Sequence, residues 1–179
     1  MEQRCRNALG VLALVPALLA GCASARVPVA YPVPEPLKAP TDQGLSKQVH
    51  ATGFQIYECK PSKDDATRLE WALRAPEADL VDDGGKPAGR HYAGPTWEAN
   101  DGSKVVGTVV ARDNGPDPNA IPWLLLRATS ATGPGAFSQV KSIQRLHTVG
   151  GKAPADGCSP AQSGQVLRVP YSAEYLFYR

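Results

Sequence analysis

Thr96-Trp97-Glu98-Ala99-Asn100-Asp101-Gly102-Ser103-Lys104-Val105-Val106-Gly107-Thr108-Val109-Val110-Ala111 decides the fold class. Thr96-Trp97-Glu98 is strand-like, Asn100-Asp101-Gly102 is a strong turn signal, and Lys104–Ala111 is continuous and β-branched. Together they predict a hairpin. Working outward, Leu69, Trp71 and Leu73 alternate with Glu70, Ala72 and Arg74, the period of a half-buried strand. Phe54–Cys59 reads as the first strand and Ala75–Leu80 as a short helical turn. Ile121–Ala128 is the most apolar run outside the N-terminal segment, with the ladder starting after Pro122. Val140–Thr148 carries both a three-residue and a two-residue period, and the Gly150-Gly151 that closes it favours strand. Val166–Val169 and Glu174–Tyr178 read as strand material broken at Pro170. The expectation is an all-β single domain, a β-sandwich or a small barrel of about seven or eight short strands, with the sandwich preferred.

The N-terminal end fixes the compartment. Arg4 and Arg6 precede an apolar stretch, Gly10–Ala20, that is shorter than the roughly 20 residues a membrane-spanning helix needs. Leu19-Ala20-Gly21-Cys22 follows and resembles a bacterial lipobox. That resemblance implies a signal peptide over residues 1–21, acyl chains on Cys22, and a membrane as partner through those chains. Ala23 is not an acidic sorting residue, so the expected location is the cell envelope, at the outer membrane facing the periplasm. Residues 22–44 hold Pro28, Pro32, Pro34, Pro36 and Pro40 and read as a semi-rigid spacer. Residues 45–179 form the β domain.

Cys5 and Cys22 belong to the signal and the lipid. Cys59 and Cys158 remain, and in an oxidising compartment they predict a disulfide. It would close a loop of about 100 residues, worth up to roughly 4.7 kcal/mol in the chain-entropy model. The full chain carries a formal charge of +2 with both signs interspersed. No basic run or basic–aromatic interleaving supports nucleic acid binding.

Candidate chemistry concentrates around His91–Glu98. Tyr92 and Trp97 are placed to stack on a sugar ring, and Arg90, His91 and Glu98 to hydrogen-bond a ligand. The rival assignment puts Trp97 in the core, as with Trp71 and Trp123. His91 and His147 are weak metal-ligand candidates, with Glu98 or Asp113 as a third donor, and they define the alternative function of a metal-binding protein or metal-dependent enzyme. His50 reads as solvent-exposed. Ser138 or Ser142 with His147 lacks a nucleophile motif, and Glu98 with Asp79, Asp82 or Asp83 is a thin case for glycoside hydrolysis. Arg145, inside a strand-like run, is expected to pair with Glu98 or Glu174, since an unpaired buried charge is costly. No catalytic residue or cofactor is assigned. The expected role is non-catalytic binding or structure, toward a small ligand, a glycan or an envelope protein.

Five blocks carry a wider resemblance: Gly53–Cys59, Gly89–Glu98, Ile121–Leu126, Ile143–Leu146 and Val169–Tyr175. They resemble a bacterial and fungal family of secreted proteins of unknown function (domain of unknown function 3455), across nearly all of residues 45–179. The resemblance implies export and no particular activity. Some fungal relatives carry a dehydrogenase label, but this chain has no Gly-x-Gly-x-x-Gly and no βα alternation.

Overall fold

The computed structural model describes residues 32–179. The expected signal peptide, Cys22 and the first part of the expected spacer lie outside the described residues. Eight strands follow: β1 Leu45–Pro61, β2 Leu69–Val81, β3 Pro87–Tyr92, β4 Thr96–Ala99, β5 Lys104–Asp113, β6 Trp123–Thr132, β7 Ser142–Gly150 and β8 Val166–Tyr178. Each pairs antiparallel with the next, and β8 returns to β1, so the sheet closes into a barrel. The fold is all-β, and of the two architectures expected it is the barrel that forms. A closed ring removes the free sheet edges that a sandwich leaves.

Strand length departs from expectation. β1 has 17 residues, and β2 and β8 have 13 each. Ala75–Leu80 is strand rather than helix, because a register shift between Ile56 and Tyr57 lets β2 stay paired with β1 along its length. Pro170 does not break β8. Its carbonyl accepts from Gly151 N–H at 2.9 Å. A residue's N and O point to the same side of a strand, so the missing N–H faces away from the β1 ladder. Val140–Thr148 resolves mainly as strand, with β7 beginning at Ser142.

Alternation along the strands sorts side chains into two layers. Val49 and Ala51 on β1 face inward opposite Tyr175 and Ala173 on β8. Trp97, Val105, Leu126, Ile143 and Phe177 complete this core. At Gly53 a Cβ would sit 2.1 Å from the Glu77 carbonyl oxygen, so only glycine permits this approach of β1 to β2. Phe137, from the β6–β7 loop, stacks on Phe177 with ring centres 4.4 Å apart. Its N–H donates to Ser103 Oγ, which in turn donates to Asp101. Cys59 and Cys158 form the expected disulfide, with Cα atoms 6.0 Å apart, tying β1 to the β7–β8 loop.

A second apolar cluster lies outside the wall. Trp123, Leu146, Leu125 and Leu176 are packed together with Val33 and Leu37. Leu37 ends a short 3-10 helix, Glu35–Leu37, and is 0% exposed. Its carbonyl accepts from Gln144 Nε2, and Tyr178 donates to Gln144 Oε1, each at 2.6 Å. The described end of the proline-rich stretch is therefore a strap across β5–β8. It explains why Trp123-Leu124-Leu125-Leu126 is apolar on both faces. Leu37→Ala is expected to cost about 2–5 kcal/mol, read as a lower urea midpoint at unchanged slope.

Candidate functional site

The site follows from a mismatch in strand length. β3 and β4 have 6 and 4 residues, while their neighbours β2 and β5 have 13 and 10. β3 pairs only with Ala78–Val81 of β2, and β4 only with Lys104–Val106 of β5. Leu69–Glu77 of β2 and Gly107–Asp113 of β5 thus lack strand partners on the sides that face each other. The Ala93-Gly94-Pro95 turn spans the top of the gap, held by Gly107 N–H donating to the Pro95 carbonyl at 3.1 Å.

Below that turn the gap opens into a cavity of about 450 Å³ inside the barrel. Leu73, Arg74, Val109 and Arg112 stand at the mouth. Leu73 and Val109 are 55% and 40% exposed, apolar side chains held at the opening. Gln55, His91, Trp97, Leu124, Leu126 and Tyr175 form the buried interior. Mouths of β-barrels are a preferred place for small-molecule sites of roughly 300–1,000 Å³.

Arg145 also lines this cavity. The expected carboxylate partner is absent. Nε and Nη2 both donate to the Pro122 carbonyl, at 3.1 and 2.8 Å. Alternation explains the correction: Arg145 shares the inner face with its cross-strand neighbours Leu124 and Tyr175, whereas Glu98 and Glu174 are outer residues. No Asp or Glu among the described residues lines the cavity, which carries three arginines. Burial raises the pKa of the Tyr57, Tyr171 and Tyr175 hydroxyls, and the Arg145 charge partly opposes this. Tyr57 donates to the Gly151 carbonyl at 2.6 Å.

The five residues expected to bind ligand divide between the faces. His91 and Trp97 are inner, 2% and 1% exposed, and stacked at 4.4 Å with Tyr175 edge-on to both. Arg90, Tyr92 and Glu98 line an outer groove of about 1100 Å³, together with Phe54, Glu77 and Arg168. Tyr92 donates to Glu98 Oε2 at 2.9 Å, and Arg90 and Lys104 lie 3.5 and 3.6 Å from it. The Tyr92 hydrogen bond, aided by the two cations, holds Glu98 below the usual carboxylate range. Its charge is already satisfied. Arg168 pairs with Glu77 and lies over the Phe54 ring.

His91 and His147 are not brought together. His147 adopts φ 49° at the register shift between Leu146 and Val149, which turns its ring outward onto Trp123 and Glu174. Glu174 also faces His50 at 3.8 Å, and His50 is 3.0 Å from Asp83. Among the described residues, no group of three or more His, Cys, Asp or Glu is arranged to hold a metal. Asp82 caps its own turn through Gly84 and Lys86 N–H. Ser138 donates to the Gly135 carbonyl and makes no contact with His147. Sequence reasoning missed Gln55, Tyr57, Tyr175, Arg74 and Arg112. Period two within β8, where Tyr171, Ala173, Tyr175 and Phe177 alternate with Ser172, Glu174 and Leu176, would have placed Tyr175 inside.

Fold and site together define a class: an antiparallel up-and-down barrel with a side opening onto a cationic, partly aromatic interior. The chain belongs to the family described as Protein of unknown function (DUF3455), whose model matches residues 40–179. No curated protein and no solved structure matches the chain.

His91 reports on the integrity of this interior. Nδ1–H donates to the Thr96 carbonyl at 2.8 Å, so the proton sits on Nδ1 and the ring is neutral. Burial, with the Arg145 charge added, pushes its pKa down to about 3 from 6.5, against the Thr96 hydrogen bond. The unfolded chain therefore binds more protons between those values. The contribution of His91 is whole above about pH 6.5 and is lost as pH falls toward 3, with a slope of up to about 1.4 kcal/mol per pH unit. Urea midpoints measured across that window should fall with acidification, and His91→Phe should flatten the profile there.

Proposed function

We propose that this chain is an envelope lipoprotein whose barrel binds a small, largely apolar molecule without catalysis. The observation that carries the proposal is the cavity: an interior of small-molecule size that opens between β2 and β5 past exposed Leu73 and Val109. Mouths of β-barrels are where small-molecule sites of this size are commonly found. The catalytic alternatives have weaker support, since Ser138 and the outer carboxylates are each occupied by local structural contacts. The Leu19–Cys22 pattern supports the anchor, and Ala23 supports the outer membrane facing the periplasm. A small ligand fits the cavity better than a glycan, because Trp97 is inside the core and Glu98 is already paired.

The test uses the chain from Ala23 on, which contains the whole barrel and its strap. An apolar fluorescent probe such as N-phenyl-1-naphthylamine should bind with one-to-one stoichiometry and quench emission from Trp97. Leu73→Trp, an exposed change at the mouth, should weaken probe binding by roughly tenfold while leaving the urea midpoint within experimental error. Unaltered binding in that variant would place the probe elsewhere and end the proposal. In cells, Cys22→Ser should abolish labelling by radioactive palmitate; persistent labelling would refute the anchor.

A further inference from the structure

Within this binding proposal, we infer that the cavity selects small apolar molecules bearing a carboxylate or a similar anionic group, with Arg145 as the recognising cation. The inference rests on the small-ligand reading and adds the chemistry of the ligand.

The cavity is rich in donors and lacks a counterion. A guanidinium has five N–H donors, and Arg145 spends two on the Pro122 carbonyl. The Tyr175 hydroxyl lies within hydrogen-bonding reach of the guanidinium, directly across the β7–β8 ladder. Gln55, Trp97 and Tyr175 stand around the same cavity and are almost wholly buried. Trp97 Nε1 has no hydrogen-bond partner among the described residues, while the Tyr171 hydroxyl lies close to both Gln55 and the Tyr175 hydroxyl. Buried polar groups without partners are rare in native proteins and call for an explanation. Here the indole nitrogen and the unspent guanidinium nitrogens are donors only. An acceptor-only group suits the arginine, which has no carboxylate partner. A carboxylate offers several acceptor sites and suits the planar fork of an arginine.

The surroundings supply the other half of the ligand. Leu124, Leu126, Ile121 and the Trp97 face are apolar and would cover a hydrocarbon or aromatic body. Arg74 and Arg112 flank the mouth, giving an approaching anion a positive field. No acid among the described residues lines the path to oppose it.

The experiment is calorimetric titration of the chain from Ala23 on with 2-naphthoate and with its neutral analogue 2-naphthylmethanol. The acid should bind roughly tenfold to a hundredfold tighter, the range for a hydrogen bond to a charged group. Arg145→Gln removes the charge and keeps an N–H for the Pro122 carbonyl. It should erase the preference, bringing the affinity for the acid down to that for the alcohol. Tyr175→Phe, which preserves the ring packing, should narrow the preference several-fold. It decides the matter should Arg145→Gln fail to fold. Equal binding of the two probes by the unaltered protein, or a preference that survives Tyr175→Phe and Arg145→Gln undiminished, overturns the anion selectivity and leaves the cavity proposal standing. Failure of both probes to bind overturns both.

Discussion

A closed ring requires every strand to find two neighbours, and in this barrel two of the eight strands are too short to satisfy theirs. The β1–β8 ladder runs from Leu45 to Glu58 and fixes closure. The β3–β4 hairpin spans only the upper part of the wall. What it fails to cover becomes the opening between β2 and β5. Charge and proline at that free edge, in Arg74, Pro76 and Arg112, suit strands that must not pair with another chain. The opening is a consequence of hairpin length, so the cavity is built into the topology and does not depend on a mobile lid.

The all-β class was legible because period two and turn chemistry agree locally: Thr96–Ala111 becomes a hairpin of β4 and β5 with the expected turn. The ring was less legible. Closure depends on Leu45–Gly53 pairing with the end of β8, more than a hundred residues away, and neither segment announces the other. Ala75–Leu80 misled because Ala and Leu carry helix propensity, which tertiary pairing overrides. Pro170 misled because its effect depends on which side of the strand its nitrogen faces. The site shows the same division. Arg90, His91, Tyr92, Trp97 and Glu98 are one cluster in sequence, yet alternation sends His91 and Trp97 inward and the other three outward. His147 escapes even that rule, because a register shift breaks the period just before it reaches the ring.

Arg145 is where local consistency fails, and such failures tend to mark function. A charge on the inner face of β7 costs desolvation, and a leucine or methionine there would pack with Leu124 and Tyr175 without that cost. The Pro122 carbonyl compensates in part. It is free to do so because Pro122 precedes β6 and joins no ladder. The proline that delays the strand thus leaves an acceptor for the arginine, and the two features belong to one arrangement.

The strap at Val33–Leu37 packs on the outside of this wall. β6 and β7 are buried on both faces: Leu124, Leu126 and Arg145 look into the barrel, while Trp123, Leu125 and Leu146 meet Val33 and Leu37 outside. A single sheet separates Leu37 from the cavity. Gln144, whose side chain holds the Leu37 carbonyl, is the chain neighbour of Arg145. Packing of this density transmits displacement poorly into solvent and well into neighbouring side chains. The residues that seat the Val33–Leu37 strap therefore pack directly against the wall that carries Arg145. The described end of the proline-rich stretch is more than a spacer, since Val33 and Leu37 complete the outer layer of the wall that carries Arg145.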